Sequence, residues 1–265
     1  MKKYLYGFKL YFLNSFHYRF NTAARLFFGN LGMLITIFFW GLIYKGDTEK
    51  VLNGFTLSGI ITYFIIGSVF RSFILMSGFD FSNMIKNGSL GKVLLKPYNP
   101  GMAVYFQNLA GSITGLIPQG LFVLILLPFI GRFLVWDLTG INAAFVVVFL
   151  FAGSISSHLL WSLFGYMAFW LEEADAVMWS FAVLLNVVTG MFIPLDFFPK
   201  WSIGVLETLP FSSWGYLPVK AYLGLFKSEK LAYLLIIQVS WIGVLLLLNA
   251  FVWKTGVKKY SSVGG

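Results

Sequence analysis

Cysteine is absent from this sequence and charge is scarce, with 10 acidic and 19 basic residues among 265, or 11% of the chain. The lack of cysteine excludes disulfide staples and thiolate metal sites, and it says nothing about compartment, because burial in a bilayer needs neither. Histidine is nearly missing as well: His17 and His158 stand some 140 residues apart. There is no H-E-x-x-H, no G-x-S-x-G and no His/Asp/Ser set on facing segments, so no catalytic constellation is legible. A G-x-x-x-x-G-K-[ST] phosphate loop is also lacking. The one Gly-Lys pair, Gly91-Lys92, has neither the upstream glycine nor the following hydroxyl, so the chain does not bind ATP in the usual way.

What fills the chain instead is apolar surface: 58% hydrophobic residues, 20% aromatic, and a mean hydropathy of +0.81. Such a composition excludes an ordinary soluble globule and defines an all-α polytopic membrane protein. The net charge of +9 does not indicate nucleic acid, since the basic residues are scattered between apolar runs rather than gathered on one polar face. At about 20 residues per crossing, the runs 26–44, 51–76, 101–131, 138–171, 176–195 and 231–253 predict six transmembrane helices within a single transmembrane domain, 1–265. The run 101–131 is too long for one straight span and too short for two. Pro118 and Pro128 within it predict one tilted or kinked helix.

Residues 1–25 carry Lys2, Lys3, Lys9, Arg19 and Arg25 with no acidic residue. On a helical wheel the lysines, Asn14, His17 and Asn21 oppose Tyr4, Leu5, Phe8, Tyr11, Phe12 and Phe16, with Leu10 and Leu13 as exceptions, which predicts an interfacial helix lying on the anionic leaflet. Arg71, near the inner end of the second run, either snorkels or faces a polar cavity. His158 lies among Ser154, Ser156 and Ser157, where a hydrogen-bonded packing role competes with that of a proton carrier. Glu172, Glu173 and Asp175 form the one dense acidic cluster. It is a solvated turn or a docking contact for a basic partner surface, without the ligands that metal chemistry needs. Pro194, Pro199, Pro210 and Pro218, interleaved with Phe197, Phe198, Trp201, Phe211, Trp214 and Tyr216, predict interfacial half-helices over 194–228, with Pro199 and Trp201 as candidate gate residues.

The most polar stretch between long apolar runs is 80–100, DFSNMIKNGSLGKVLLKPYNP. Asp80 or Ser82 is suited to cap a first short helix, Asn87-Gly88 to end it, Ser89 to cap a second of about two turns, and Lys96-Pro97 to stop that. On the second, Leu90, Val93 and Leu94 share one face and Lys92 and Lys96 another, the pattern of an amphipathic peg that docks into a partner's groove. Basic residues also set orientation. Lys2, Lys3, Lys9, Arg19, Arg25, Lys86, Lys92, Lys96, Lys254, Lys258 and Lys259 fall on one predicted side and Lys45, Lys50, Arg132, Lys200, Lys220, Lys227 and Lys230 on the other. That bias places both termini and the peg in the cytoplasm.

The run Gly88-Ser-Leu-Gly-Lys-Val-Leu-Leu-Lys96-Pro97-Tyr-Asn-Pro100 resembles the cytoplasmic coupling segment of ABC transporter permeases of the type-2 exporter class, in particular the daunorubicin-type export branch. That branch carries an acidic residue where this chain has Ser89. A second motif, Gly190-Met-Phe-Ile-Pro194-Leu-Asp-Phe-Phe-Pro199-Lys-Trp201 followed by Leu209-Pro210-Phe211 and Tyr216-Leu-Pro218, is similar to that family's outer segment between the fifth and sixth spans. The resemblance implies a bacterial cell-membrane permease that forms the substrate path of an ATP-driven exporter. It implies two ABC ATPase partners, which hold the ATP and magnesium, and a second permease, identical or related. ATPase coupling would rest on Leu90, Val93, Leu94, Lys96, Pro97, Glu172, Glu173 and Asp175, and the path or gate on Arg71, His158, Pro199 and Trp201. The alternative is a stand-alone channel or intramembrane enzyme with no ATPase, which co-purification separates from the first. Aromatic-rich spans and the lack of a large external domain favour a lipid-soluble or amphipathic cargo.

Overall fold

The computed structural model describes residues 2–14, 19–47, 49–136 and 138–260, without the side chains of 2, 14 and 19–29. The expectations placed on Lys2, Asn14, Phe16, His17, Arg19, Asn21 and Arg25 lie outside the described residues or side chains. Apart from turns and one isolated bridge between Leu52 and Phe55, the described chain is helical: α1 (Lys2–Asn14), α2 (Arg19–Tyr44), α3 (Leu57–Arg71), α4 (Gly78–Lys86), α5 (Leu90–Leu94), α6 (Pro100–Ile130), α7 (Gly140–Tyr166), α8 (Ala174–Val188), α9 (Lys200–Thr208), α10 (Tyr216–Tyr222) and α11 (Ser228–Lys259). Local chemistry sets several starts. Thr56, Asn99 and Thr139 cap α3, α6 and α7 by accepting from Gly59, Met102 and Asn142 N–H groups, and Pro100 occupies the first position of α6, where its missing N–H costs nothing.

Among the described residues, three helical stretches are long and apolar enough to cross a membrane: Pro100–Phe133, Gly140–Phe169 and Ser228–Lys259. Asn30–Tyr44, α3 and α8 are apolar but shorter. Residues 100–130 form one helix with Pro118 and Pro128 inside it, not a hairpin of two. Helix α7 is the central strut, packed against α4, α10 and α11.

The second apolar run does not end where the sequence pattern ends. After α3 the chain breaks at 72–77 and resumes as α4, which lies against α7 and α8. Residues 80–86 therefore belong to the bundle and not to a surface island: Phe81, Ser82 and Ile85 are buried. Glycine makes this approach workable, because a Cβ on Gly165 would overlap the Gly78 carbonyl and one on Gly78 would overlap that of Trp161. Neither expected cap acts as one. Asp80 instead accepts from the Asn108 amide at 2.8 Å, and the Ser82 hydroxyl donates to Asp175 at 2.6 Å. Gly88, at φ +74°, turns the chain out of α4. Helix α5 then runs for five residues only, about a turn and a half rather than two, and Ser89 offers it no side-chain cap bond.

Helix α1 also departs from expectation in part. Lys9, Leu5, Tyr6, Leu10 and Leu13 are exposed, as a membrane-surface helix requires. Tyr4 is taken up by α6 instead: its ring stacks on Phe106 with centroids 5.9 Å apart, and its hydroxyl accepts from the Asn99 N–H at 2.9 Å. The segment 194–228 packs along α7 rather than lying across one end of the bundle. Ser213 backbone lies so near α7 that a Cβ on Gly153 would sit 2.6 Å from its carbonyl oxygen, and Trp214 Nε1 donates to Ser156 at 3.0 Å. Gly153 is the fourteenth residue of α7, so these half-helices reach roughly 20 Å along it, at about 1.5 Å per residue.

Candidate functional site

One end of the bundle gathers the residues that the sequence assigned to coupling. Leu90 is fully buried among Phe81, Ile85, Val104, Tyr166 and Phe169, so it does not belong to an outward apolar face. The spacing of Leu90, Val93 and Leu94 identified a shared stripe but not its cover, which is the chain's own core. Val93 is half-buried, while Leu94 is 39% and Leu95 88% exposed, flanked by exposed Lys92, Lys96 and Pro97. The C-terminal end of α11 grips the base of the peg: the Tyr260 hydroxyl donates to the Gly88 carbonyl at 2.8 Å and accepts from the Gly91 N–H at 3.3 Å. Lys3 reaches the Pro97 carbonyl from the other side at 3.4 Å.

The acidic turn lies beside this end and divides in function. Asp175 is used internally, pairing with Lys86 at 2.9 Å and accepting from Ser82, which ties α4 to α8. Glu172 and Glu173 stay exposed. Among the described residues no group of three His, Asp or Glu side chains is placed to hold a metal ion.

Midway along α7 runs a band of polar contacts. His158 Nδ1 lies 2.7 Å from the Ser77 hydroxyl, and the Ser157 hydroxyl accepts from the Leu75 N–H at 3.0 Å, so α7 holds the second half of the break between α3 and α4. Tyr105 from α6 stacks edge-on against His158 at 5.3 Å and shares a hydrogen bond with Ser154. His158 also lines a cleft of about 340 Å³ between α6, α7 and α11. Arg71 is not part of that cleft. It donates to Asn186 Oδ1 at 3.2 Å and lines a separate cavity of about 140 Å³ with Thr36, Tyr63, Ser68 and Gln119. The two residues that the sequence grouped as one candidate path thus lie on two different openings.

At the opposite end, Pro199 and Trp201 are exposed, Trp201 at 82%, and neither meets Arg71 or His158. The chemistry there lies in residues that sequence reasoning treated only as topology charges or passed over. Lys220 Nζ is 2.8 Å from Asp196 with its side chain 6% exposed, and it sits over the rings of Phe55, Phe226 and Tyr216 at 4.6, 5.0 and 5.5 Å. A neighbouring pair, Lys230 with Glu207 at 2.8 Å, is joined by the Tyr216 hydroxyl, which donates to Glu207 at 3.3 Å. One signal was available: Asp196 is a carboxylate set within the apolar run Ile193-Pro194-Leu195 and Phe197-Phe198. An isolated charge in such a setting needs a buried partner.

A helical, multi-pass membrane protein with a polar band midway along α7 and an anchored peg at one end is the class that these features define. Residues 31–264 match the family described as ABC-2 family transporter protein, and the chain belongs to that family, as the permease of an ABC transporter. The match includes both motifs, while the daunorubicin-type branch stays a resemblance of those motifs alone. No curated protein matches the chain.

Proposed function

We propose that this chain is the membrane-spanning subunit of an ATP-driven exporter in a bacterial cell membrane, crossing six times through α2, α3 with α4 in series, α6, α7, α8 and α11, with both termini cytoplasmic. Two separate ATPase subunits bind ATP and magnesium, and a second permease, identical or related, completes the path. The observation that carries this reading is the construction of α5. Its base is locked into the bundle by Leu90 and Tyr260 while Leu94 and Leu95 project outward between Lys92 and Lys96. Such a peg passes on a push because it is rigidly joined to α4, α7 and α11 and offers an apolar tip to a partner groove. Val93 and Pro97 fix the shape of the tip, and Glu172 and Glu173 add a charged rim, with Asp175 holding that rim to α4. The half-helices carrying Pro199 and Trp201 close the outer side, and the separate openings at Arg71 and at His158 are the two candidate routes between.

The test is reconstitution of the permease with its ATPase, reading export and ATP hydrolysis together. Replacing Leu94 and Leu95 by serine is expected to abolish ATPase retention or coupled export in a folded permease, and export at the wild-type rate would overturn the reading. Because the chain has no cysteine, single cysteines at Asn87, Lys259 and Lys200 give a clean topology assay. Thiol reagents added from outside should reach the last only.

A further inference from the structure

Arg71 is the single charge in the run 51–76, and its depth follows from helix geometry. Helix α3 has 15 residues and α4 has 9, roughly 22 Å and 13 Å at about 1.5 Å per residue. Joined in series they span a hydrocarbon core of about 30 Å, with Arg71 and the break after it inside that core. Broken backbone at such depth is tolerated only where protein or a polar cavity covers it, and a cation there needs a counterpart.

The described residues supply no anionic counterpart. Their ion pairs join Lys86, Lys220 and Lys230 to carboxylates elsewhere, and Arg71 has one neutral acceptor, Asn186 Oδ1. Carbonyls at the end of α3 offer only partial negative charge. The rest of the guanidinium fork borders two openings. One is the cavity of about 140 Å³, with Tyr63 and Gln119 beside the apolar walls of Met33 and Phe64. The other is wider, about 530 Å³, and carries Gln107 and Asn108. Neither is lined by a carboxylate.

We propose that Arg71 anchors a binding site for an anionic amphiphile, whose phosphate or carboxylate takes a forked hydrogen bond from the guanidinium while its tail lies along the apolar wall. The headgroup belongs either to a bilayer lipid or to the exported cargo. Binding requires no ATPase, so its failure and the failure of the exporter reading are separate results.

The experiment uses the full chain purified in dodecyl maltoside, a neutral detergent, and titrates dodecyl phosphate against dodecylphosphocholine, a zwitterion with the same tail. Wild-type protein should prefer dodecyl phosphate by about ten-fold or more. Arg71→Lys, which keeps the charge but not the fork, should keep only part of that preference, and Arg71→Gln should lose it. Equal affinity of the wild type for the two amphiphiles overturns the proposal without any variant, as does an undiminished preference in folded Arg71→Gln. Native mass spectrometry then assigns the source. Phosphatidylglycerol retained by the wild type and lost by Arg71→Gln makes the ligand a lipid. Dodecyl phosphate binding that excess phosphatidylglycerol does not displace makes it the cargo.

Discussion

Gly165 and Gly111 are both glycines within long apolar helices, yet they have opposite surroundings. Space for a Cβ is missing at Gly165, where α4 backbone lies against α7, and is open at Gly111, which has nothing within 4 Å. Gly165→Val should therefore cost about 1–3 kcal/mol or more by overpacking and lower the unfolding temperature. Gly111→Ala should be neutral or stabilising by up to about 1 kcal/mol through helix propensity. Thermal unfolding of both variants in one detergent checks the contrast. Ser77 gives a second residue-scale prediction, since its hydroxyl is the only described hydrogen-bond partner of the buried His158 ring. Ser77→Ala should cost about 1–3 kcal/mol by leaving a buried polar atom unmet. Ser77→Thr, which restores a hydroxyl, should recover part of that loss, and the same unfolding assay reads both.

Within α5, neighbouring leucines are expected to behave in opposite ways. Leu90→Ser deletes a wholly buried side chain and should destabilise the permease itself by about 2–5 kcal/mol, the range of large core truncations. Leu94→Ser with Leu95→Ser should leave unfolding unchanged and remove only the partner contact, where each leucine if fully buried contributes about 1.5–3 kcal/mol. Unfolding temperature beside ATPase co-purification separates the two, and a Leu90→Ser protein as stable as the wild type would contradict the burial. This element also marks the limit of what the sequence discloses. Uncharged runs point to helices because their signal is contained within the run, whereas the caps expected at Asp80, Ser82 and Ser89 do not form and those that do, Thr56, Asn99 and Thr139, come from the structure. The break at 72–77 gave no such signal: Leu75 and Met76 continue the apolar pattern, and the partners that hold the break open, Ser157 and His158, are some 80 residues away. Leu90's cover is equally remote, drawn from Tyr166 and Phe169. Periodicity tells which residues share a face but is silent on which face a distant element will take.

At the scale of the whole molecule, the buried pair Lys220–Asp196, at the outer end in the orientation proposed above, and the peg, at the inner end in that orientation, are joined by α7, 27 residues long or roughly 40 Å at about 1.5 Å per residue. The outer pair came from the sequence only as a topology charge and an unremarked carboxylate, because its members are 24 residues apart with no periodic link. A buried ion pair is costly to break from one side, since the remaining charge keeps its desolvation penalty. Lys220→Met alone should thus destabilise by about 3–5 kcal/mol, whereas Lys220→Met with Asp196→Leu, an apolar pair of similar bulk, should be far milder or neutral. The double variant is the informative one for mechanism. It unties the half-helices from the Phe55 loop while leaving α4, α5 and the α11 terminus untouched, so ATPase retention should persist while substrate leaks or ATP hydrolysis runs ahead of export. Retention, hydrolysis and export measured on the same vesicles decide the matter. Loss of ATPase retention in a double variant that unfolds at the wild-type temperature would mean that the outer pair sets the position of the peg through α7, and that the two ends do not act as separable parts.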